Sequence, residues 1–322
     1  MLRWGLIGCG DIAHRMVAPA LRTAAGSELL AIARADAARL AAFAATHRVE
    51  RTYTRWQDLV QDRDVNAVYI ATPPDVHCQQ TVAAAEAGKH VLCEKPMALS
   101  VDECQRMIDA CRTRGVTLGI AYYRGFFPVV RRVQEILSSG EIGRPVIAHV
   151  LLFSPFDPAV DDPRGWLGDR ARAGGGPMMD MGCHRIEMLL RLFGHVCGVT
   201  AWVGRLKIDR DIDDTATALF RFRSGVHAAL SVSWAPSERR DSVEIFATSG
   251  TISIPALGMG TMIVRDAAGG RTEHHPSNPN HHQPLVDDFI SAVAERRAPL
   301  VTGEIGLEVN RLEAAIYGIA NP

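Results

Sequence analysis

Over its first 120 residues the chain alternates short apolar runs with longer stretches of helical periodicity, and that alternation leaves few folds open. The runs 2–7, 29–33, 67–71, 90–93 and 116–121 are four to six residues long and rich in β-branched or apolar types. Between them, 12–23, 37–46, 75–87 and 101–114 carry apolar residues three and four apart, the spacing of one helix face. Strands joined through helices must cross over, and such crossovers are right-handed and build a parallel sheet covered on both faces. Helix 101–114 is delimited in detail. Ser100 with Glu103 forms a capping box, and Arg112, Arg114 and Gly115 mark its end.

Past residue 122 the pattern changes. A helix around 129–137 ends in Ser-Ser-Gly-Glu, and strand-like segments follow at 146–153, 196–206, 215–223, 226–234 and 243–248. Several alternate apolar and polar residues, and Ser224-Gly225 is a two-residue hairpin signal. This predicts a largely antiparallel sheet with one face packed on helices. A helix over 178–193 interrupts the strands, and helices over 285–296 and 303–319 close the chain. The polar loop 269–284, dotted with Pro, Asn and His, is expected to be the most mobile stretch.

At 322 residues the chain exceeds what one hydrophobic core usually serves, so two domains are expected. A composition 47% hydrophobic and 22% charged excludes a disordered, collagen-like or coiled-coil chain. The net charge of −1, with no basic block, gives no reason to expect nucleic acid or an anionic membrane as partner. No apolar stretch reaches the roughly 18 residues a membrane span needs. The N-terminus runs directly into the first apolar segment, so no signal peptide is expected. The seven cysteines form no CxxC pair, so reduced thiols in a cytoplasmic protein, without structural zinc, are expected. Only Lys89, Lys95 and Lys207 are lysines among 35 basic residues.

Gly8-Cys9-Gly10-Asp11-Ile12-Ala13 closes the first run and opens the first helix. In this G-x-G-x-x-A turn Gly8 permits a tight bend, Gly10 lets backbone approach a pyrophosphate, and Ala13 lets helix pack on strand. The helix N-terminus adds N–H groups and partial positive charge, to which Asp11 and Ile12 contribute. The fold class that follows is α/β. A Rossmann domain over 1–122 binds a dinucleotide, and a second α/β domain over 123–322 carries a large, mostly antiparallel sheet.

The second strand ends in Arg34, with Asp36 nearby and Arg39 one turn into the next helix. An acid there holds the ribose hydroxyls of NAD, whereas an arginine fork suits the 2′-phosphate of NADP, so NADP is favoured over NAD. Asp36 swinging to the ribose is the competing arrangement. Ala71, Thr72, Pro73 and, further on, His77 follow another strand, and Glu94-Lys95-Pro96 follows the next; both turns belong to the ligand crevice at the carboxyl ends of the sheet. In the second half, Gly174-Gly175-Gly176 precedes a helix on which Asp180 and His184 stand four apart, able to face one space. Imidazole suits proton transfer near neutrality. No third ligand at sensible spacing accompanies the pair, so no metal is expected.

Together these residues resemble the Gfo/Idh/MocA family of nicotinamide-dependent oxidoreductases, over essentially the whole chain. The resemblance rests on 8–13, the Ala-Thr-Pro-Pro turn with His77, Glu94-Lys95-Pro96, Gly174–176 with Asp180 and His184, and Pro284-Leu285-Val286-Asp287-Asp288-Phe289. It implies hydride transfer at a hydroxyl or carbonyl carbon of a sugar, inositol or related polyol, in a homodimer or homotetramer whose open sheet often forms the dimer face. It gives the second domain substrate binding and oligomerisation. It further implies that Lys95 hydrogen-bonds the reacting oxygen, His184 is the general acid/base, and Asp180 orients the substrate or His184. Tyr122, Tyr123 and Arg124 fall where relatives contact nicotinamide or substrate, Trp166 where some NADP-dependent sugar reductases place a cofactor-contacting Trp, and His281 and His282 where relatives reach the active site. Leu167 stands where those reductases carry Arg, whereas Arg39 matches them. The family also includes NAD-dependent redox-assisted glycosidases, non-catalytic dinucleotide-binding regulators, and enzymes acting on dihydrodiols or biliverdin-like tetrapyrroles. Intact Lys95, Asp180 and His184 argue against a regulator.

Overall fold

Six short parallel strands organise the N-terminal half of the computed structural model, which describes residues 1–157, 162 and 164–320. They are β1 (Leu2–Ile7), β2 (Ser27–Ala33), β3 (Arg51–Tyr53), β4 (Ala67–Ile70), β5 (His90–Cys93) and β6 (Leu118–Ile120), in the order β3-β2-β1-β4-β5-β6. Trp4, Leu6, Ile32, Tyr69, Val91 and Leu92 are fully buried, as strands covered on both faces require. The order reverses between β1 and β4, which opens a crevice at their carboxyl ends. The sequence pattern misses β3 and the helix Trp56–Gln61, because elements of three and six residues are too short to establish a period. Helix Val101–Arg114 begins and ends as expected: the Ser100 hydroxyl accepts from the Glu103 N–H, and Gly115 takes a left-handed φ of 64°.

Chain contacts divide the molecule into two units, Met1–Tyr123 with Asn280–Asn310, and Arg124–Pro279 with Arg311–Pro322. A single cut after Tyr122 assigns 280–310 to the second domain, whereas their contacts lie with the first. Helix Gln283–Glu295 supplies Phe289, fully buried with its ring centroid 5.5 Å from that of Trp4. A Cβ on Gly119 would fall 2.8 Å from the Phe289 ring, so strand β6 keeps a glycine where that ring presses on it. Thr23 bonds Gln283 at 2.7 Å, and the Asn280 amide donates to the Met16 carbonyl at 2.8 Å.

The second unit is built on eight strands: β7 (Pro145–Phe153), β8 (Val196–Gly204), β9 (Thr215–Phe222), β10 (His227–Ser233), β11 (Arg240–Ala247), β12 (Gly250–Ile254), β13 (Thr261–Asp266) and β14 (Gly269–His274). Their order is β14-β13-β12-β11-β7-β10-β9-β8, antiparallel throughout except between β7 and β10. The β9–β10 hairpin turns through Gly225 at φ 90°, with the Phe222 N–H donating to the Val226 carbonyl. Ala148, Val150, Leu230, Val232 and Ile245 point inward and are buried. On the other face Ile147, Leu219, Phe246 and Trp202 remain 41%, 45%, 40% and 64% exposed.

The stretch expected to be a mobile loop begins instead as β14, paired with β13 from Thr261↔His274 to Asp266↔Gly269. Its polarity belongs to an edge strand, where side chains meet solvent while the backbone is still paired. Arg132 and Arg271 reach Glu273 at 2.9 and 2.8 Å and hold its carboxyl at about 2. No described helix is long and apolar enough to cross a membrane.

Candidate active site

In the first unit the site begins at the glycine turn after β1. Gly8 adopts φ 92°, and a Cβ there would lie 2.5 Å from the Ala71 carbonyl oxygen and 2.8 Å from the Thr72 nitrogen. The turn after β1 and the turn after β4 therefore touch backbone to backbone, which only glycine allows. Gly10 differs: nothing lies within 4 Å of a Cβ built on it. That open space beside a helix start, where N–H groups lack intrahelical acceptors, fits a diphosphate. The helix opens with a π-wound segment, Ala13–Val17, before Ala18–Thr23. Asp11, exposed, pairs with Arg15 at 2.6 Å, and Ile12 is half-buried.

Arg34 donates from its guanidinium to the Cys9 carbonyl inside the glycine turn. Burial pushes the Cys9 thiol up to about 12, against the lowering charge of Arg34. Asp36 is engaged elsewhere. Its carboxylate accepts the Arg39 N–H at 3.0 Å as the cap of helix Ala37–His47, and the Arg39 guanidinium lies 3.5 Å from it.

His77, expected beside the cofactor, is fully buried with both ring nitrogens on backbone carbonyls, Nε2 at 2.8 Å from Thr72 and Nδ1 at 3.0 Å from Pro96. It links the turn after β4 to the turn after β5. Burial holds it below the usual imidazole range despite the pull of those carbonyls. A neutral ring donates through only one nitrogen. The Thr72 hydroxyl donates to Gln80 at 2.8 Å, and Pro73 leads into the short 3-10 turn Pro74–Val76.

Glu94 is the most connected polar side chain of this crevice. It is buried, and its Oε1 accepts from the Tyr69 hydroxyl at 2.8 Å and from His282 Nε2 at 3.0 Å. Its Oε2 accepts the Lys95 backbone N–H at 3.2 Å. Burial alone raises this carboxyl, but the bond and charge of His282, the charge of Lys95 and the Tyr69 bond outweigh it and leave it below the usual range. Lys95 is half-buried and joined to Pro96 by a cis peptide bond. His282, which the family resemblance places toward the active site, is buried, with its Nε2 bonded to Glu94 and the Tyr123 ring 4.7 Å away. His281 stacks on the Tyr123 ring at 5.9 Å. Tyr122 is fully buried.

In the second unit Asp180 lies in a π-wound segment, Met178–Gly182, and His184 in the first turn of the α-helix Cys183–Phe193. A regular α-helix stacks residues four apart; the wider π turn carries more residues per turn, so the expected alignment of the pair is altered locally. Asp180 is half-exposed and His184 buried. The glycines before them are packed. A Cβ on Gly175 would meet Tyr317, with Cζ at 2.5 Å, and one on Gly176 would run into the backbone of Asp213. Asp213, overlooked in the sequence although the Asp213-Asp214 doublet marks it, accepts the Gly176 N–H at 2.8 Å and the Tyr317 hydroxyl at 3.2 Å. Burial pushes its carboxyl up. Asp214 accepts the N–H groups of Leu206, Lys207 and Ile208. Trp166 packs, partly exposed, against Leu167, Ile208 and Trp234, and the Arg124 guanidinium lies 4.9 Å over the Phe127 ring. Of the segment 154–166, expected to help select substrate, 158–161 and 163 lie outside the described residues. Among the described residues no group of three or more His, Cys, Asp or Glu could hold a metal ion.

Two family models match the chain. One describes an oxidoreductase family with an NAD-binding Rossmann fold, over residues 2–122, and the other the GFO/IDH/MocA C-terminal domain, over 130–253. A 1,5-anhydro-D-fructose reductase of Ensifer adhaerens is 32% identical over 95% of this chain and 92% of its own. A D-xylose 1-dehydrogenase (NADP(+)) of Haloferax volcanii is 29% identical over 98% and 96%. A levoglucosan dehydrogenase solved with NADH and levoglucosan superposes with a TM-score of 0.89 at 25% identity, over 99% and 97% of the two chains. With residues 2–122 and 130–253 matched by the family's own models, the chain belongs to the Gfo/Idh/MocA family of oxidoreductases.

Proposed function

We propose that this protein is a dehydrogenase or reductase that transfers hydride between a nicotinamide dinucleotide and a hydroxyl or carbonyl carbon of a sugar or polyol. The observation that carries the reading is Lys95, set by the buried Glu94 in a crevice whose glycine turn leaves room at Gly10. The substrate class follows relatives that act on 1,5-anhydro-D-fructose and D-xylose. Gly8, Gly10, Asp11, Ile12, Ala71, Thr72 and Pro73 form the cofactor cradle, with Trp166 a further contact. The bound nicotinamide supplies or accepts the hydride. Lys95 donates a hydrogen bond to the reacting oxygen and stabilises the negative charge that develops there. His184 takes or returns the hydroxyl proton, and Asp180 orients it or the substrate. Tyr123 and Arg124 contact substrate, while Tyr122, His77 and His282 act from within the packed interior.

NADP is the favoured cofactor. The Asp36 carboxylate, which would repel a 2′-phosphate or take up ribose hydroxyls, is occupied as a helix cap, while Arg34 and Arg39 supply positive charge at the end of β2. The exposed apolar residues Ile147, Trp202, Leu219 and Phe246 support a homo-oligomer formed through the open sheet face. The protein is expected in the cytoplasm.

The test is Lys95→Met, assayed with D-xylose and NADP⁺ and with 1,5-anhydro-D-fructose and NADPH, beside NADPH binding by nicotinamide fluorescence. Turnover should be lost while the NADPH dissociation constant stays within about twofold, a shift under 0.5 kcal/mol. Loss of both together would place Lys95 in the cofactor site alone.

A further inference from the structure

Glu94 and His282 belong to segments 188 residues apart, yet they meet in the interior of the first unit. A buried carboxylate costs several kcal/mol unless its oxygens are hydrogen-bonded, so each partner of Glu94 has to be accounted for. Tyr69 and His282 share Oε1, and the Lys95 N–H takes Oε2. Tyr69 keeps its proton, since burial and then the Glu94 charge push its hydroxyl well above the usual range, so it can only donate. The carboxylate only accepts, so His282 carries its proton on Nε2. Among the described residues the buried Nδ1 has no hydrogen-bond partner, and the ring is bonded to Glu94 and packed against Tyr123. Nothing in this arrangement is needed to close the fold, which two apolar side chains would do without a desolvation penalty.

We propose that Glu94 and His282 are a positioning pair for Lys95: the carboxylate, aimed by His282 and Tyr69, holds the Lys95 backbone and keeps the Lys95 side chain in its ammonium form. The functional meaning rests on the reading of Lys95 as donor to the reacting oxygen; the pairing itself does not. Lys95 at the end of a strand would otherwise depend on a flexible four-carbon stem for its aim. His282 comes from the segment whose Asn280 is bonded to Met16 in the first helix, so the orienting ring is itself anchored. The titratable groups facing Glu94 are Tyr69, Cys93, Lys95, His77 and His282, with Tyr123 packed on the last.

The scarcity of lysine makes the test direct, because Lys89, Lys95 and Lys207 are the only three. Reductive methylation with ¹³C-formaldehyde preserves the lysine charge and gives resonances that titrate with pH, and Lys95→Met identifies the one from Lys95. In Glu94→Gln, Lys95 should titrate about one pH unit lower than in the unaltered protein, since a neighbouring anion has been removed. Selective ¹⁵N-lysine labelling reads the backbone side of the proposal. The Lys95 amide should shift upfield and exchange faster in His282→Leu, and stay in place in His282→Gln, whose amide N–H still reaches Glu94. Lys89 and Lys207 resonances that do not move report an intact fold in each variant. An unchanged Lys95 midpoint in Glu94→Gln, or a Lys95 amide indifferent to His282→Leu, overturns the pairing. Neither readout needs substrate, so the catalytic reading, tested by turnover of Lys95→Met, can fail without it.

Discussion

The chain has two glycine-rich turns, each leading into a helix that opens with a π-wound segment, and they serve opposite ends. In the first, Gly8 is required by a backbone contact with Ala71, but Gly10 faces empty space. In the second, Gly175 and Gly176 both face protein, one against Tyr317 and the other against Asp213. Missing side chains leave space open in one turn and make room for the protein's own atoms in the other. Glycine in a sequence announces a close approach; only the structure tells what approaches.

The contrast can be broken experimentally, most forcefully at Gly176. Gly176→Ala drives a methyl into the Asp213 backbone and should destabilise the fold by about 3 kcal/mol, the upper range for overpacking, measured from the urea midpoint. An unchanged midpoint would mean that the second turn has slack. Gly10→Ala should do the reverse, leaving the thermal midpoint in place while weakening NADPH binding on the order of tenfold, or about 1.4 kcal/mol. Should both variants lose stability alike, the two turns are not different in kind.

A subtler variant sharpens the reading of the first turn. Arg34→Asp replaces a charge bonded to the Cys9 carbonyl and should lower the NADPH-to-NADH affinity ratio roughly fivefold, about 1 kcal/mol. A ratio that stayed the same would remove Arg34 from cofactor choice. The smallest effect concerns Asp213. Its carboxyl titrates higher in the folded chain than its ordinary 3.8, so the folded state holds the proton longer than the unfolded one. That linkage makes stability fall as pH rises from 3.8 through the folded value. Asp213→Asn lacks the titration, so its stability should gain on the unaltered protein over that window, by less than any of the changes above. Parallel pH profiles of the two proteins would deny the shift.

What could be read from the sequence was whatever repeats at short range. The alternation over 1–122 defined the parallel sheet because each strand and helix carries its own period, and Ser224-Gly225 located the β9–β10 hairpin because turn chemistry is local. The strand β14, Gly-Gly-Arg-Thr-Glu-His, escaped because it is polar and sits at the sheet edge, where pairing leaves no apolar signature. Candidate site residues were identified by type, but not by partner. The partner of His282, Glu94, is 188 positions away, and no spacing rule connects them. Tyr69 and Asp213 looked like ordinary strand and turn residues for the same reason. Arg34 and Asp36 were legible as a choice of ligand chemistry, yet the capping bond that occupies Asp36 is visible only in three dimensions.

The return of Asn280–Asn310 to the first unit has a consequence for how the protein is made. A ribosome delivers the six strands of the parallel sheet within the first 120 residues, but the ring that covers Trp4 and Gly119 arrives with Phe289. At about 5–20 residues per second, the nascent sheet waits for many seconds with that apolar patch uncovered. The interval is one in which a chaperone, or a second nascent chain, would find its best target.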